Sequence, residues 1–301
     1  MTTTAWRGIF TIPQTPFNAD GSVDFGGLRS EVDFCLACKT HGIVSPVNAS
    51  EFYTLSDSER EELITTLVKQ TKGKVPVIVG VTATTKELAV KYSKFAEEAG
   101  ADGVIALPPY VFKADRNGIY AYYKAISDAV SIPVMIQNAP APLGSSIAPA
   151  LMVQMCKEIE HIDFIKEETP PTGHYITNIL KVNEPAVKGV FGGAAARWMI
   201  HELDRGVCGF MPACHFTDVY VHIWDLYEAG KFEEARQVYY KFLPMINMEL
   251  ILSVSLAKYC LIKRGVFACE YSRRPDGVVL DEFDVKEINK CWEEIKPYLK
   301  V

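Results

Sequence analysis

Short apolar runs alternate with longer amphipathic stretches up to about residue 220. The runs are residues 8–12, 42–45, 75–80, 103–106, 134–138, 163–166, 187–191 and 209–212. Most are β-branched and apolar on both faces, the composition of parallel strands covered on either side. The stretches between them read as helices. Ser56-Asp57-Ser58-Glu59 has the form of a capping box and opens a helix through Glu62, Leu63, Leu67 and Val68. Residues 86–99 carry Leu88, Ala89, Tyr92, Phe95, Ala96 and Ala99 at helical spacing, up to the stop at Gly100. Residues 117–130 and 148–159 behave likewise. Eight strand–helix units in succession predict a (β/α)8 TIM barrel, an α/β fold. The alternative is a doubly wound open sheet, which usually has fewer strands. No G-x-G-x-x-G follows the third run, where the chain reads Val81-Thr82-Ala83-Thr84, and there is no P-loop.

Beyond about residue 220 the strand-like runs stop. Residues 231–243 place Phe232, Ala235, Val238, Tyr239 and Phe242 on one face, and Pro244 is expected to break or kink that helix. A second helical stretch runs to Gly265. Val285, Ile288, Trp292 and Ile295 mark a last helix, opened by Asp284 and Glu287 in the manner of a capping box. The expected organisation is a catalytic barrel over 1–225 and a C-terminal helical region over 226–301.

Composition narrows the class. Of 301 residues, 49% are apolar and 23% charged, enough apolar surface to offset chain entropy and exclude a disordered chain. The 37 acidic and 31 basic residues give a net charge of −6, without the basic excess of a nucleic-acid-binding surface. The first eight residues lack the apolar core of a secretion signal, and no apolar run is read as membrane-spanning. The eight cysteines are scattered, which reads as reduced thiols in the cytoplasm. Cys35-Leu36-Ala37-Cys38 has no second pair at zinc spacing and reads as two small buried side chains on one helix.

Barrel enzymes place their chemistry at the C-terminal ends of the strands. The polar residues there are Thr15, then Asn48, Ser50 and Glu51, then Tyr110, then Gln137-Asn138, then Lys166-Glu167-Glu168, and last Cys214-His215. Strand alternation puts Lys166 and Glu168 on one face and Glu167 on the other. A lysine inside a barrel has two readings. As a neutral amine it attacks a ketone and forms a Schiff base, an electron sink that makes an α-proton acidic or lets an adjacent bond break. As a cation it pairs with Glu167 or Glu168 at a strand end. His215 has no obvious partner in the sequence. Glu51 reads as a brace for its loop.

These residues carry a resemblance that spans essentially the whole chain. Thr15-Pro16-Phe17, Asp20-Gly21-Ser22-Val23-Asp24, the segment from Glu51 to Arg60, Ala99-Gly100-Ala101-Asp102-Gly103, Pro108-Pro109-Tyr110, Gln137-Asn138-Ala139-Pro140, Phe164-Ile165-Lys166-Glu167 and the segment from Ala229 to Ala235 occur in that order. Together they resemble the dihydrodipicolinate synthase / N-acetylneuraminate lyase superfamily of Schiff-base barrel enzymes. The resemblance implies that Lys166 is the imine-forming lysine. It also implies a homotetramer built as a dimer of dimers, and no metal or organic cofactor.

Departures from the superfamily pattern bear on the substrate. Val47-Asn48-Ala49-Ser50-Glu51 stands where G-[ST]-[ST]-G-E is usual, though the backbone N–H groups of Ala49 and Ser50 remain candidates for a carboxylate. Gln137 replaces the proton-relay tyrosine and cannot titrate. Pro142 falls where the dihydrodipicolinate synthases carry an arginine, and Val111 replaces the second tyrosine of the usual pair. Asn48 to Glu51, Gln137 to Pro140, Glu168-Thr169-Pro170 and Leu243-Pro244-Met245-Ile246-Asn247 instead resemble 2-keto-3-deoxy sugar-acid dehydratases, notably those acting on L-2-keto-3-deoxyarabonate. The expected function is a lyase that dehydrates such a 2-oxo acid. Its rivals are a pyruvate-releasing aldolase, a dihydrodipicolinate synthase-like condensation, a non-catalytic metabolite-binding barrel and a phosphate-binding barrel supported by Gly192-Gly193 alone.

The expected catalytic residues are Lys166, Glu168 and Gln137. Glu168 either carries protons in place of the tyrosine or acts as the lysine's counter-ion. The expected substrate-binding residues are Asn48, Ala49, Ser50, Tyr110 and Gly192. Asn48 and Ser50 could instead cap their loop, Tyr110 could simply pack, and the glycine pair could form a tight turn. The partners expected are a small 2-oxo acid and copies of the same chain, with no nucleic acid and no membrane.

Overall fold

The structure is a computed structural model and describes residues 6–140, 145–275 and 277–301. Eight parallel strands close into a barrel: β1 Gly8–Thr11, β2 Gly42–Val44, β3 Val77–Gly80, β4 Gly103–Ala106, β5 Val134–Asn138, β6 Ile162–Glu167, β7 Gly189–Gly192 and β8 Gly209–Phe210. Each pairs with the next in sequence, and β8 pairs with β1. The helices α1 Phe25–Ala37, α2 Asp57–Thr71, α3 Lys86–Glu98, α4 Arg116–Ser127, α5 Pro149–Glu158, α6 Thr172–Leu180, α7 Met199–Leu203 and α8 Thr217–Glu228 follow their strands. Helices α9 Phe232–Lys263 and α10 Glu282–Ile295 form the C-terminal appendage.

The period of two along each strand splits the apolar residues into two layers. Phe10, Val44, Ile78, Ile105, Met135, Phe164 and Phe191 fill the barrel interior. Their neighbours Ile9, Val77, Val79, Val104, Val134, Ile136, Ile165 and Val190 face outward onto the helices. Trp6 stacks on Phe164 at 4.6 Å between ring centroids. The interior is thus a packed apolar plug, and polar side chains have room only above it, at the C-terminal ends of the strands.

Two local expectations are corrected. Pro244 does not end its helix; α9 continues through it. The proline withholds the N–H that would reach the carbonyl of Tyr240, and Tyr240 lies on the exposed side of the helix, where that loss does not orphan a buried group. The break in α9 comes at Ser253, with φ 48° and ψ −127°. The last helix is capped one turn earlier than expected. Asp281 is its N-cap, and Asp284 reaches back to the Asp281 N–H at 3.1 Å to complete the capping box.

By length and composition α9 would suffice to cross a membrane, with a mean hydropathy of 1.5 over its most apolar window. Ala235, Val238, Phe242, Met245, Ile246, Leu256 and Cys260 are nevertheless buried in the protein's own core, and Phe242 packs on Phe216 and Tyr220. All eight cysteines are free, and Cys35 and Cys38 are buried.

The appendage is tied to the barrel by buried charge. Lys258 of α9 pairs with Glu51 at 2.8 Å, both side chains fully buried. Lys258 also donates to the Tyr271 carbonyl at 2.6 Å and lies over the Phe17 ring. Glu51 accepts from the Ser272 hydroxyl and the Arg273 N–H. The sequence reading has Glu51 bracing its own loop; in the structure its carboxylate ties that loop to Lys258 and to the segment that follows α9.

Glu31 of α1 gives a pH test of the fold. It is fully buried, and burial pushes its carboxyl from 4.5 up to about 8, although the Gln14 N–H and the Cys214 thiol both donate to Oε1. A raised carboxyl keeps its proton in the folded state at pH values where the unfolded chain has lost it. Stability from this group is full below pH 4.5 and declines as pH rises toward 8, by at most about 1.4 kcal/mol per pH unit. Glu31→Gln keeps both acceptor contacts and removes the titration. Chemical denaturation should find the variant more stable than the parent at pH 8, with the gap closing toward pH 5.

Candidate active site

The β5–β6 register sets Gln137 beside Lys166. Each lies two residues beyond an interior apolar side chain, Met135 and Phe164 respectively, so both point up from the plug. Lys166 is 3% exposed. Its Nζ lies 3.5 Å from Oε1 of Glu168. Gln137 donates through Nε2 to Oε2 of the same carboxylate at 2.6 Å. The backbone N–H of Ala194, just past β7, donates to Oε1 at 3.0 Å. Glu167 faces the other way. It accepts from Asn138 Nδ2 at 2.7 Å and from the Thr169 N–H at 2.6 Å, and burial pushes it up to about 7.

The close approach of β7 to Glu168 depends on Gly193, where a Cβ would collide with the Glu168 carboxylate. The turn that follows is strained. Ala194, Ala195 and Ala196 all have positive φ, at 49°, 56° and 51°. Left-handed backbone costs a residue with a Cβ roughly 1–2 kcal/mol, and here it aims the Ala194 N–H at the carboxylate.

These groups line a cavity of about 90 Å³. Asn48 and Ala49 form its wall on the β2 side, and the Asn48 side-chain oxygen is buried with no hydrogen-bond partner. Five polar side chains reach the cavity: Asn48, Gln137, Lys166, Glu168 and Glu249.

Three expected site residues lie elsewhere. Ser50 is fully buried, and its polar groups are used within the protein. Its hydroxyl donates to the Pro13 carbonyl at 2.7 Å and accepts from Ser45, and its N–H closes a tight turn onto the Val47 carbonyl at 2.9 Å. Ser50 therefore fixes the loop that presents Asn48 and Ala49. Tyr110 packs edge-on against Phe52, 5.8 Å between centroids, outside the cavity lining. Gly192 also stands outside the cavity; a Cβ there would meet Glu202 and Phe210. Pro142 lies outside the described residues.

Glu249 is the polar residue that the sequence reading missed. It comes from α9, the appendage rather than a strand end. Its signal was present: Phe242, Met245 and Ile246 are buried on one face, and Glu249 continues their spacing as an acid at a core position. Glu249 Oε2 lies 3.6 Å from Nε2 of His215, the histidine without an evident partner in the sequence. Burial, followed by the nearby Arg264 charge, pushes His215 down to about 3, so it is neutral at pH 7. Among the described residues no group of acidic, histidine and cysteine side chains is arranged to hold a metal ion.

A model of the dihydrodipicolinate synthetase family matches residues 5–290. The chain belongs to that family. The L-2-keto-3-deoxyarabonate dehydratase of Azospirillum brasilense is 31% identical over 273 residues, covering 89% of this chain and 88% of that one. A 4-hydroxy-tetrahydrodipicolinate synthase of Methanococcus maripaludis is 27% identical over 245 residues, covering 81% and 83%. Two solved structures share the fold. The dihydrodipicolinate synthase of Thermotoga maritima superposes with a TM-score of 0.90 at 24% identity over 97% of this chain and 99% of that one. YagE of Escherichia coli K12, solved in complex with pyruvate, gives 0.88 at 24% identity over 97% and 99%. Family members are lyases or synthases that use a lysine Schiff base.

The site generates a test of Glu168. Glu168→Gln preserves shape and one acceptor oxygen but cannot take up a proton. The variant should still be trapped by borohydride with a 2-oxo acid, while turnover falls by about 10²–10⁴-fold. Joint loss of trapping and folded structure would make Glu168 a structural counter-ion, and unchanged turnover would place proton transfer elsewhere.

Proposed function

We propose that this protein is a Schiff-base lyase that dehydrates a 2-keto-3-deoxy sugar acid, a substrate resembling L-2-keto-3-deoxyarabonate. The observation that carries the reading is the buried Lys166 amine beside the Glu168 carboxylate in a cavity where Gln137 replaces a titratable residue. The likeness to the Azospirillum brasilense dehydratase supports the choice of substrate class.

The chemistry follows from those positions. The substrate carboxylate lies against the Asn48–Ala49 wall, which brings C2 to Lys166. The lysine gives up its proton to Glu168 and its amine attacks C2; the carbinolamine hydroxyl takes that proton back from Glu168 and leaves as water, which gives a protonated imine and frees the carboxylate to act as a base. Glu168 then removes a C3 proton, and the electrons of that C–H bond flow into the imine to give an enamine. Their return breaks the bond from C4 to its hydroxyl, which departs as water after taking up a proton. Hydrolysis of the imine frees the product and restores Lys166. Gln137 contributes no proton; it holds Glu168 oriented toward the lysine.

Condensation to a dihydrodipicolinate precursor would need a donor for a second carboxylate. Among the described residues the cavity lining includes no arginine, and it does include the acidic Glu249. Mass analysis of products from a panel of 2-keto-3-deoxy pentonates and hexonates tests the assignment. Dehydration predicts loss of one water with every carbon retained. Release of pyruvate and an aldehyde would establish the aldolase instead, and efficient condensation of pyruvate with aspartate semialdehyde would establish the synthase.

A further inference from the structure

Glu249 lies in the cavity without a role in the chemistry derived so far. Of the five polar side chains there, Asn48 stands on the carboxylate side, and Lys166, Glu168 and Gln137 cluster at C2 and C3. A 2-oxo acid anchored between the β2 loop and β6 directs its remaining carbons toward the other walls. Those walls are Ala194 and Ala195 after β7, Met211 and Ala213 after β8, and Glu249 from α9. Among the lining side chains, only Glu249 can make a hydrogen bond there.

The surroundings suit an acid that carries a proton near neutral pH. The charged or titratable groups around it are His215, Arg197, Tyr220 and Cys260. His215 is neutral, and the Arg197 cation acts to lower Glu249. Burial outweighs that arginine and pushes Glu249 up to about 7. A group poised there gives and regains a proton near neutral pH. Two carboxyl groups in one cavity can then take opposite roles, Glu168 held by donors beside a lysine and Glu249 carrying a proton from α9.

On the dehydration reading above, we propose that Glu249 is the general acid of the reaction, protonating the C4 hydroxyl as it leaves. The step balances. The enamine's electron pair forms the C3–C4 double bond, the C4–O bond breaks, and the O–H proton of Glu249 moves to the departing oxygen to make water. The proton taken from C3 rests on Glu168, and exchange with solvent returns both carboxyl groups to their starting states.

The test compares two leaving groups in Glu249→Gln. Hydroxide needs a proton to depart, whereas fluoride leaves with far less acid help. The probes are a 2-keto-3-deoxy pentonate and its 4-fluoro analogue, with exchange of pyruvate methyl protons for deuterium as a readout of the imine and enamine steps. We expect E249Q to lose about 10²–10⁴-fold in water elimination and to keep fluoride elimination and deuterium exchange within a few-fold of the parent. Equal slowing with both leaving groups, or no slowing with either, overturns the role while leaving the dehydration reading in place. A parent enzyme that exchanges deuterium but eliminates neither water nor fluoride overturns both. Should E249Q fail to fold, Glu249→Asp carries the same comparison. Its acid is withdrawn by one methylene, so water elimination should slow while fluoride elimination does not, and equal slowing again overturns the assignment.

Discussion

One carboxylate holds the site together. Glu168 receives Gln137 from β5, the Ala194 N–H from the turn after β7, and the Lys166 ammonium from β6. Three neighbouring staves of the barrel are thereby fixed relative to one another at their C-terminal ends. Charge-assisted hydrogen bonds of this kind are shorter and stronger than neutral ones, which offsets the strain of three consecutive left-handed alanines. Remove the carboxylate, and the reason for Gly193, for the strained turn and for the orientation of Gln137 goes with it.

A second constraint joins the β2 loop to the C-terminal helices. The Glu51–Lys258 pair is fully buried and joins the β2 loop to α9. Breaking such a pair from one side leaves an unpaired buried charge, at a cost of about 3–5 kcal/mol. Glu249 reaches the cavity from the same helix, upstream of its break at Ser253. The appendage is thus part of the site as well as part of the packing. Ser50 contributes in a similar indirect way, since its hydroxyl and N–H shape the turn that carries Asn48 and Ala49.

What could be read from the sequence follows physical lines. The eight strands were legible because a buried parallel strand must be apolar on both faces. Lys166, Glu168 and Gln137 were legible because strand periodicity fixes which side chains share a face, and each departs from an otherwise apolar run. Asn48 and Ala49 line the cavity, whereas Ser50, Tyr110 and Gly192 lie outside its lining. Those three lie at turns or strand ends, where tertiary hydrogen bonds and ring packing decide direction. Glu249 was missed because its helix is remote in sequence and follows a proline that suggested a break. The residue that actually interrupts α9 is Ser253, and nothing in its identity announces a left-handed φ. Asp281 was passed over as an N-cap because an equally plausible acidic pair follows one turn later.

The central claim is that Lys166, held beside Glu168, forms a covalent imine with a 2-oxo acid. Borohydride reduction in the presence of pyruvate, followed by intact mass and peptide mapping, tests it most directly. The account predicts one reduced pyruvate adduct per chain, on the peptide containing Lys166, and none in Lys166→Ala. An adduct on another lysine, or no adduct with any 2-oxo acid that the enzyme turns over, would contradict it.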